Sequence, residues 1–188
     1  MALFSRWRAE RELKRKAERY VATLMSEPTT EDVSWLASQA TRGDTDHARW
    51  ELRYAKRALG LLAAQRDALD DRTGSVVART LDEAFARDEH IATDMLDVAE
   101  RQFNARLSAY RDVLGARGGG ALLPRLGQTL FAFAGGAFRH VDENIERAGE
   151  LVSRYLSEAN AALRDAFGTA SLPENVPPSS LTAGRSGR

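Results

Sequence analysis

The chain has 188 residues, of which 43% are hydrophobic and 29% are charged, a balance typical of a single helical globular domain. Basic and acidic residues both number 27, so the overall charge gives no argument for binding to nucleic acid. The absence of cysteine excludes disulfides, thiolate catalysis and cysteine metal sites. Charged residues at positions 10–18 interrupt any apolar core of a signal peptide or membrane span, and a cytoplasmic protein is expected.

Residues 3–26 are predicted to form an amphipathic helix that ends before Pro28. Its apolar residues are expected on or near one side: Phe4, Trp7, Leu13, Ala17, Tyr20, Val21 and Leu24. Its first two thirds are basic, with a net charge of +4 from seven basic and three acidic residues. One interpretation is a contact with anionic lipid, nucleic acid or an acidic helix. The residues assigned to that contact are Trp7, Arg8, Arg11, Lys14, Arg15 and Arg19. The other interpretation is a solvated helix with paired charges, such as Glu12 with Lys16.

The central segment is predicted to be a long helical hairpin. A short helix begins at Thr29 or Thr30 and ends at Gly43, and a second helix runs from Asp44 or Thr45 to about Asp70. An uninterrupted helix is then predicted from Ser75 to Leu114, because apolar residues recur at spacings of four and three without proline or interior glycine. Its buried stripe is predicted to comprise two adjacent rows, one that passes through Met95, Gln102 and Ala105 and one that passes through Ala99, Leu107 and Tyr110. That helix would be about 60 Å long and its partner about 40 Å. The shorter helix therefore covers only about two thirds of the longer one. We expect later segments or a second copy of the chain to pack against the remaining third.

The C-terminal third is predicted to contain two helices and a disordered tail. Residues 121–138 are the most apolar stretch and are interpreted as a core helix, with a lid or membrane-dipping hairpin as the alternative. The last helix is expected from about 138 to 167. Residues 168–188 lack apolar periodicity and contain three prolines, which predicts disorder. The final eight residues, Leu181 to Arg188, resemble the short C-terminal peptides that load cargo into encapsulin shells.

The predicted fold is all-α, an antiparallel four- to five-helix bundle with a long central αα-hairpin. Its divisions are the basic helix 1–27, the bundle 28–167 and the tail 168–188. Ferritin-like di-iron bundles share this architecture and carry Glu-x-x-His pairs, but Arg87 and Ala137 stand three residues before His90 and His140. The remaining candidate metal ligands are His47, Glu51, Asp88, His90, His140 and Glu143.

Asp88 is the most informative of these residues, because it falls in the apolar row of the long helix. A lone buried carboxylate is costly, so Asp88 should be paired, protonated or bound to a cation. Arg57 and His140 are candidate partners. An ion pair that fixes helix register is the simplest interpretation, and Gln102 in the same row is interpreted likewise.

The leading functional hypothesis is a non-enzymatic interaction or scaffolding protein that self-associates as a homo-oligomer. No catalytic or cofactor-binding residue is assigned, and nucleic acid is not an expected partner. The alternatives are a ferritin-like, oxidoreductase-type metal bundle, possibly an encapsulin cargo, and peripheral binding to an anionic membrane through the basic N-terminal helix.

Overall fold

The computed structural model describes residues 2–67, 71–116, 121–137 and 142–168, with side chains from residue 7 onward. Within these ranges the secondary structure is entirely helical, as predicted. The described ranges contain seven α-helices, more than the four or five predicted: α1 Ala2–Met25, α2 Thr30–Gln39, α3 Thr45–Asp67, α4 Asp71–Phe85, α5 Leu96–Gly115, α6 Leu122–Phe133 and α7 Glu143–Phe167. A 3-10 turn, Thr93–Met95, precedes α5. The proposed cargo peptide and the rest of the tail beyond residue 168 lie outside the described residues.

The prediction of one uninterrupted helix from Ser75 to Leu114 is wrong. α4 ends at Phe85, and α5 begins at Leu96. At the break, Oδ1 of Asp88 accepts a hydrogen bond from the backbone N–H of His90 at 3.1 Å. A short polar side chain that bonds to nearby backbone in this way competes with the helical hydrogen bonds. The geometric mismatch from which self-association was predicted therefore does not exist.

The buried side of α5 differs from the predicted stripe. The first predicted row continues through Met95, Gln102 and Ala105, and all three are exposed. The adjacent row, which includes Ala99, Leu107 and Tyr110, is predicted to be buried as well, and it is buried. The buried side of α5 is therefore narrower than the two-row stripe that the periodicity predicts.

The central element of the structure is α3, which packs against α1, α2, α4, α5, α6 and α7. Most of its length is buried, including Leu52, Ala55, Ala58 and Leu59. Small residues allow the neighbouring helices to approach closely. At Gly60, for example, Leu24 occupies the space that a Cβ would fill, and the hydroxyl of Tyr20 donates to the Gly60 carbonyl at 2.8 Å.

The helices α6 and α7 cross at two glycines. A Cβ on Gly127 would come within 2.0 Å of the Ile145 carbonyl oxygen, and one on Gly149 within 2.2 Å of the Leu123 carbonyl oxygen. The backbones therefore touch where these two helices cross. The interpretation of residues 121–138 as a core helix is confirmed for Leu126, Leu130 and Phe131, which are buried. None of the helices in the described ranges combines the length and apolar content needed to cross a bilayer.

Candidate functional site

The candidate metal ligands come together in pairs rather than in one cluster. His90 Nδ1 lies 2.9 Å from Asp88 Oδ1, and His47 Nε2 lies 3.5 Å from Glu51 Oε1. Glu143 is exposed in the first turn of α7, and His140 lies outside the described residues. In the part of the chain that the structure describes, no three histidine, cysteine, aspartate or glutamate side chains are placed to hold a metal ion.

Asp88 pairs with Arg57, one of the two partners predicted from the sequence. Nη2 of Arg57 donates to Oδ2 of Asp88 at 2.6 Å, and the two side chains are 1% and 5% exposed. The guanidinium carbon lies 5.3 Å from the ring centre of Phe85 and 5.9 Å from that of Trp50. Nε and Nη1 of this guanidinium have no hydrogen-bond partner within the described residues. Asp88 therefore neutralises a buried cation surrounded by aromatic rings.

The pKa of Asp88 reflects two opposing effects. Burial raises the pKa of this carboxyl, but hydrogen bonds from the backbone and ring of His90 and from Arg57 outweigh it, so that the net pKa is lowered. Asp88 is thus held as a carboxylate. It ties the loop between α4 and α5 to the middle of α3.

Two further arginine–carboxylate pairs fix α3 to its neighbours. Arg106 of α5 donates from Nε and Nη2 to the two oxygens of Glu51, at 3.0 and 2.5 Å, and its Nη1 donates to Gln102. Arg53 donates to Glu27, with an Nη2–Oε1 distance of 2.8 Å. Because each carboxylate accepts from a guanidinium, its charge is already compensated. The arrangement favours a structural role for the buried pair of Arg106 with Glu51 and for the buried guanidinium of Arg53.

An open groove of about 460 Å³ lies between α1, α4 and the loop that follows α4. Asp88 and His90 line one end, and Thr80 is a hydroxyl residue in its wall. The Thr80 hydroxyl donates to the backbone carbonyl of Val76 at 2.8 Å, which commits its proton to the helix. The Thr80 hydroxyl is thus bonded to the backbone of its own helix.

The helix α1 divides into a packed half and a free half. Ala17, Tyr20, Val21 and Leu24 are buried against the body. Residues 7–11 are all exposed, and Trp7 is 53% exposed. Trp7, which is predicted to lie on or near the side of the packed residues, is exposed because the packing of that side does not extend to the first turns of the helix. We call the exposed side chains of Trp7, Arg8, Arg11, Lys14 and Arg15 the free half of α1; Glu10 in the same turns is paired with Arg72 of α4.

The free half of α1 carries an aromatic side chain among cations. The guanidinium carbon of Arg11 lies 4.7 Å from the ring centre of Trp7. Residues 7, 11, 14 and 15 share one face of the helix because they are spaced by three and four. Lys14 and Arg15 on that face have side chains 58% and 76% exposed. The neighbouring Arg8 is exposed as well, and so is Arg19 in the following turns.

Acidic residues compensate part of this charge. Glu12 accepts from Arg15 at 2.6 Å, and Glu10 lies 3.4 Å from Arg72 in the first turn of α4. Lys14 lies 3.9 Å from Glu18 and 3.9 Å from Glu83 of α4. These pairs are exposed, and such pairs contribute little stability and are weakened by salt. The basic face therefore remains available to an anionic surface.

Sequence reasoning missed Arg106 and Arg53 as buried residues. For Arg106 a signal existed, because it falls between Phe103 and Tyr110 at the same three- and four-residue spacing as the apolar row of α5. An arginine in such a row indicates a carboxylate on the facing helix.

Comparisons of this chain with protein-family models, with curated proteins and with solved structures found no match.

Proposed function

We propose that this chain is an interaction protein rather than an enzyme, and that its contact surface is the free half of α1. The observation that carries the proposal is the division of α1. Its second half supplies core residues such as Tyr20 and Leu24, whereas its first half presents Trp7 and a row of cations to solvent. An exposed tryptophan beside arginines is the composition enriched at binding surfaces.

The interior supports the same conclusion. The ionisable residues that could serve an active site are engaged in ion pairs that hold helices together, namely Arg57 with Asp88 and Arg106 with Glu51. Enzymes need acid–base groups free to exchange protons near a cavity. The two buried carboxylates instead each accept from an arginine.

The test uses a soluble polyanion, poly-L-glutamate, as a model of an acidic surface. Because the chain has no cysteine, a single Asp112→Cys substitution on the exposed side of α5 accepts a dye whose anisotropy reports binding. We expect binding that weakens with salt. We also expect it to be lost when alanine replaces the three arginines of the free half, Arg8, Arg11 and Arg15.

The matched control replaces three exposed arginines elsewhere, Arg79, Arg101 and Arg111, and so changes the net charge equally. This control should bind as the unmodified chain does. Equal losses in the two triple variants would mean that the polyanion senses only overall charge. The free half would then not be the contact surface.

Self-association stays a prediction and no longer rests on the length of a single helix. A scaffold built from copies of this chain requires a particle heavier than the 20.7 kDa monomer. Light scattering on protein eluting from a sizing column measures this mass directly. Contact between two copies through their basic free halves is disfavoured because like charges would face each other.

A further inference from the structure

We infer that the surface contacted by the free half of α1 is an anionic lipid bilayer, on which this part of the helix lies with Trp7 at the level of the headgroups. The inference rests on the proposed function and names its partner. It starts from the face shared by Trp7, Arg11 and Lys14, which combines an aromatic ring with cations. Tryptophan prefers the membrane interface because its ring is apolar and its N–H is polar.

The placement of the charges suits a plane better than a pocket. Arg8, Arg11 and Arg15 span seven residues, which is about 10 Å along a helix. They all lie on the exposed part of the helix, so a flat surface reaches them together. In the sequence, Leu3 and Phe4 precede Trp7 within one helical turn and add apolar residues to the same end of the chain. A basic helix with aromatic and aliphatic anchors is the composition of interfacial helices.

The long charged side chains also match this partner. Arg11 stacks its guanidinium on Trp7, and the arginine stem can follow the ring toward the acyl boundary while its charge stays at the lipid phosphates. A helical segment that lacks packing along much of its surface is marginal in water. Binding to a bilayer would cover this face and stabilise the helix.

The experiment measures partitioning of the full chain onto vesicles by sedimentation. Vesicles of phosphatidylcholine with about 30% phosphatidylserine carry the negative surface charge, and pure phosphatidylcholine vesicles lack it. We expect binding to the first and not to the second, and a loss of binding when salt is raised from about 0.1 M to about 0.5 M. Binding to both vesicles alike, or to neither, would overturn the inference.

The variants assign the binding to the free half. Each basic residue near an anionic surface contributes about a fivefold change in partitioning, so the triple alanine variant of Arg8, Arg11 and Arg15 should bind about 100-fold more weakly. The control triple variant of Arg79, Arg101 and Arg111 should change partitioning less than twofold. If the control loses binding to the same extent, the bilayer is not contacted by α1 in particular.

A fluorescence measurement tests the depth of Trp7. Vesicles that contain brominated lipid quench tryptophans at the interface, and Trp35 and Trp50 are held in the body against Phe131 and Tyr54. We expect quenching of the unmodified chain that is lost in Trp7→Phe, while sedimentation with vesicles is largely retained. Quenching that persists in Trp7→Phe would show that Trp7 does not enter the interface.

The two proposals fail in different ways. If poly-L-glutamate binds through the free half but anionic vesicles do not, the partner is an acidic macromolecule in solution and the inference about lipid alone is overturned. If anionic vesicles and poly-L-glutamate both fail to bind, the free half is not a contact surface and the proposed function is overturned with it.

Discussion

Removal of the buried Asp88 carboxylate should lower the stability of the protein more than removal of an exposed carboxylate from the same loop. The guanidinium of Arg57 is 1% exposed in the unmodified chain, and in Asp88→Ala it loses the one hydrogen-bond acceptor that it has within the described residues. Breaking a buried pair by removing one partner costs about 3–5 kcal/mol, because the other charge remains buried without compensation. The hydrogen bond that the His90 N–H donates to Asp88 is lost as well, at about 1 kcal/mol.

The assay is urea unfolding followed by circular dichroism. With a dependence on urea of about 2 kcal/mol per molar, a loss of about 4 kcal/mol lowers the midpoint by about 2 M. The matched control is Glu89→Ala, which removes an exposed carboxylate from the same loop and should change stability by no more than about 0.5 kcal/mol. Equal midpoints for Asp88→Ala and Glu89→Ala would refute the reasoning.

A double variant distinguishes the buried charge from the loop turn. In Arg57→Met with Asp88→Ala the uncompensated cation is gone and an apolar side chain of similar length remains beside Phe85 and Trp50. Replacing a whole buried pair by apolar residues is often neutral, so this variant should regain most of the lost stability. A double variant as unstable as Asp88→Ala would place the cost in the turn instead.

Four further predictions follow from the same packing. Hydrogen bonds from His90 and Arg57 lower the pKa of Asp88 below its unfolded value. The difference in free energy of unfolding between the unmodified chain and Asp88→Asn should therefore be full above about pH 5 and should shrink as pH falls below about 4. Urea midpoints measured across this pH range test it. Gly127→Ala, whose Cβ would meet the Ile145 carbonyl oxygen at 2.0 Å, should lower the free energy of unfolding by about 1–3 kcal/mol. The control Gly115→Ala, whose Cβ would have no neighbour within 4 Å, should not lower it. Similar urea midpoints for the two variants would contradict the tight crossing of α6 and α7. Glu51→Ala leaves the buried guanidinium of Arg106 without its bidentate partner and should cost about 3–5 kcal/mol by urea unfolding, whereas a loss below about 1 kcal/mol would mean that the pair is dispensable. Asp142→Ala removes the side chain that accepts from the Ile145 N–H at 3.0 Å and should lower thermal stability by about 1 kcal/mol, which calorimetry measures; an unchanged midpoint would exclude a capping role.

Local sequence signals determined where several helices begin and end. Thr29 caps α2 by accepting from the Asp32 N–H at 3.1 Å, at the start predicted from its Thr-Thr-Glu-Asp sequence. α1 ends at Met25, ahead of Pro28. These features were predictable because the hydrogen bonds and backbone restrictions that set them involve neighbours within a few residues. The all-helical class follows from the same local periodicity.

Contacts between distant residues decided what the sequence alone did not. The helix predicted from Ser75 to Leu114 is interrupted between Phe85 and Leu96. Asp88 lies in this interruption and pairs with Arg57, which stands 31 positions earlier in the chain. Which of the two predicted apolar rows of α5 is buried depends on the helices that pack against it. Trp7 is exposed because the packing that buries Tyr20 and Leu24 does not extend to it. Periodicity reports a helix and its apolar side, but which neighbour covers that side, and over what length, is set by tertiary packing.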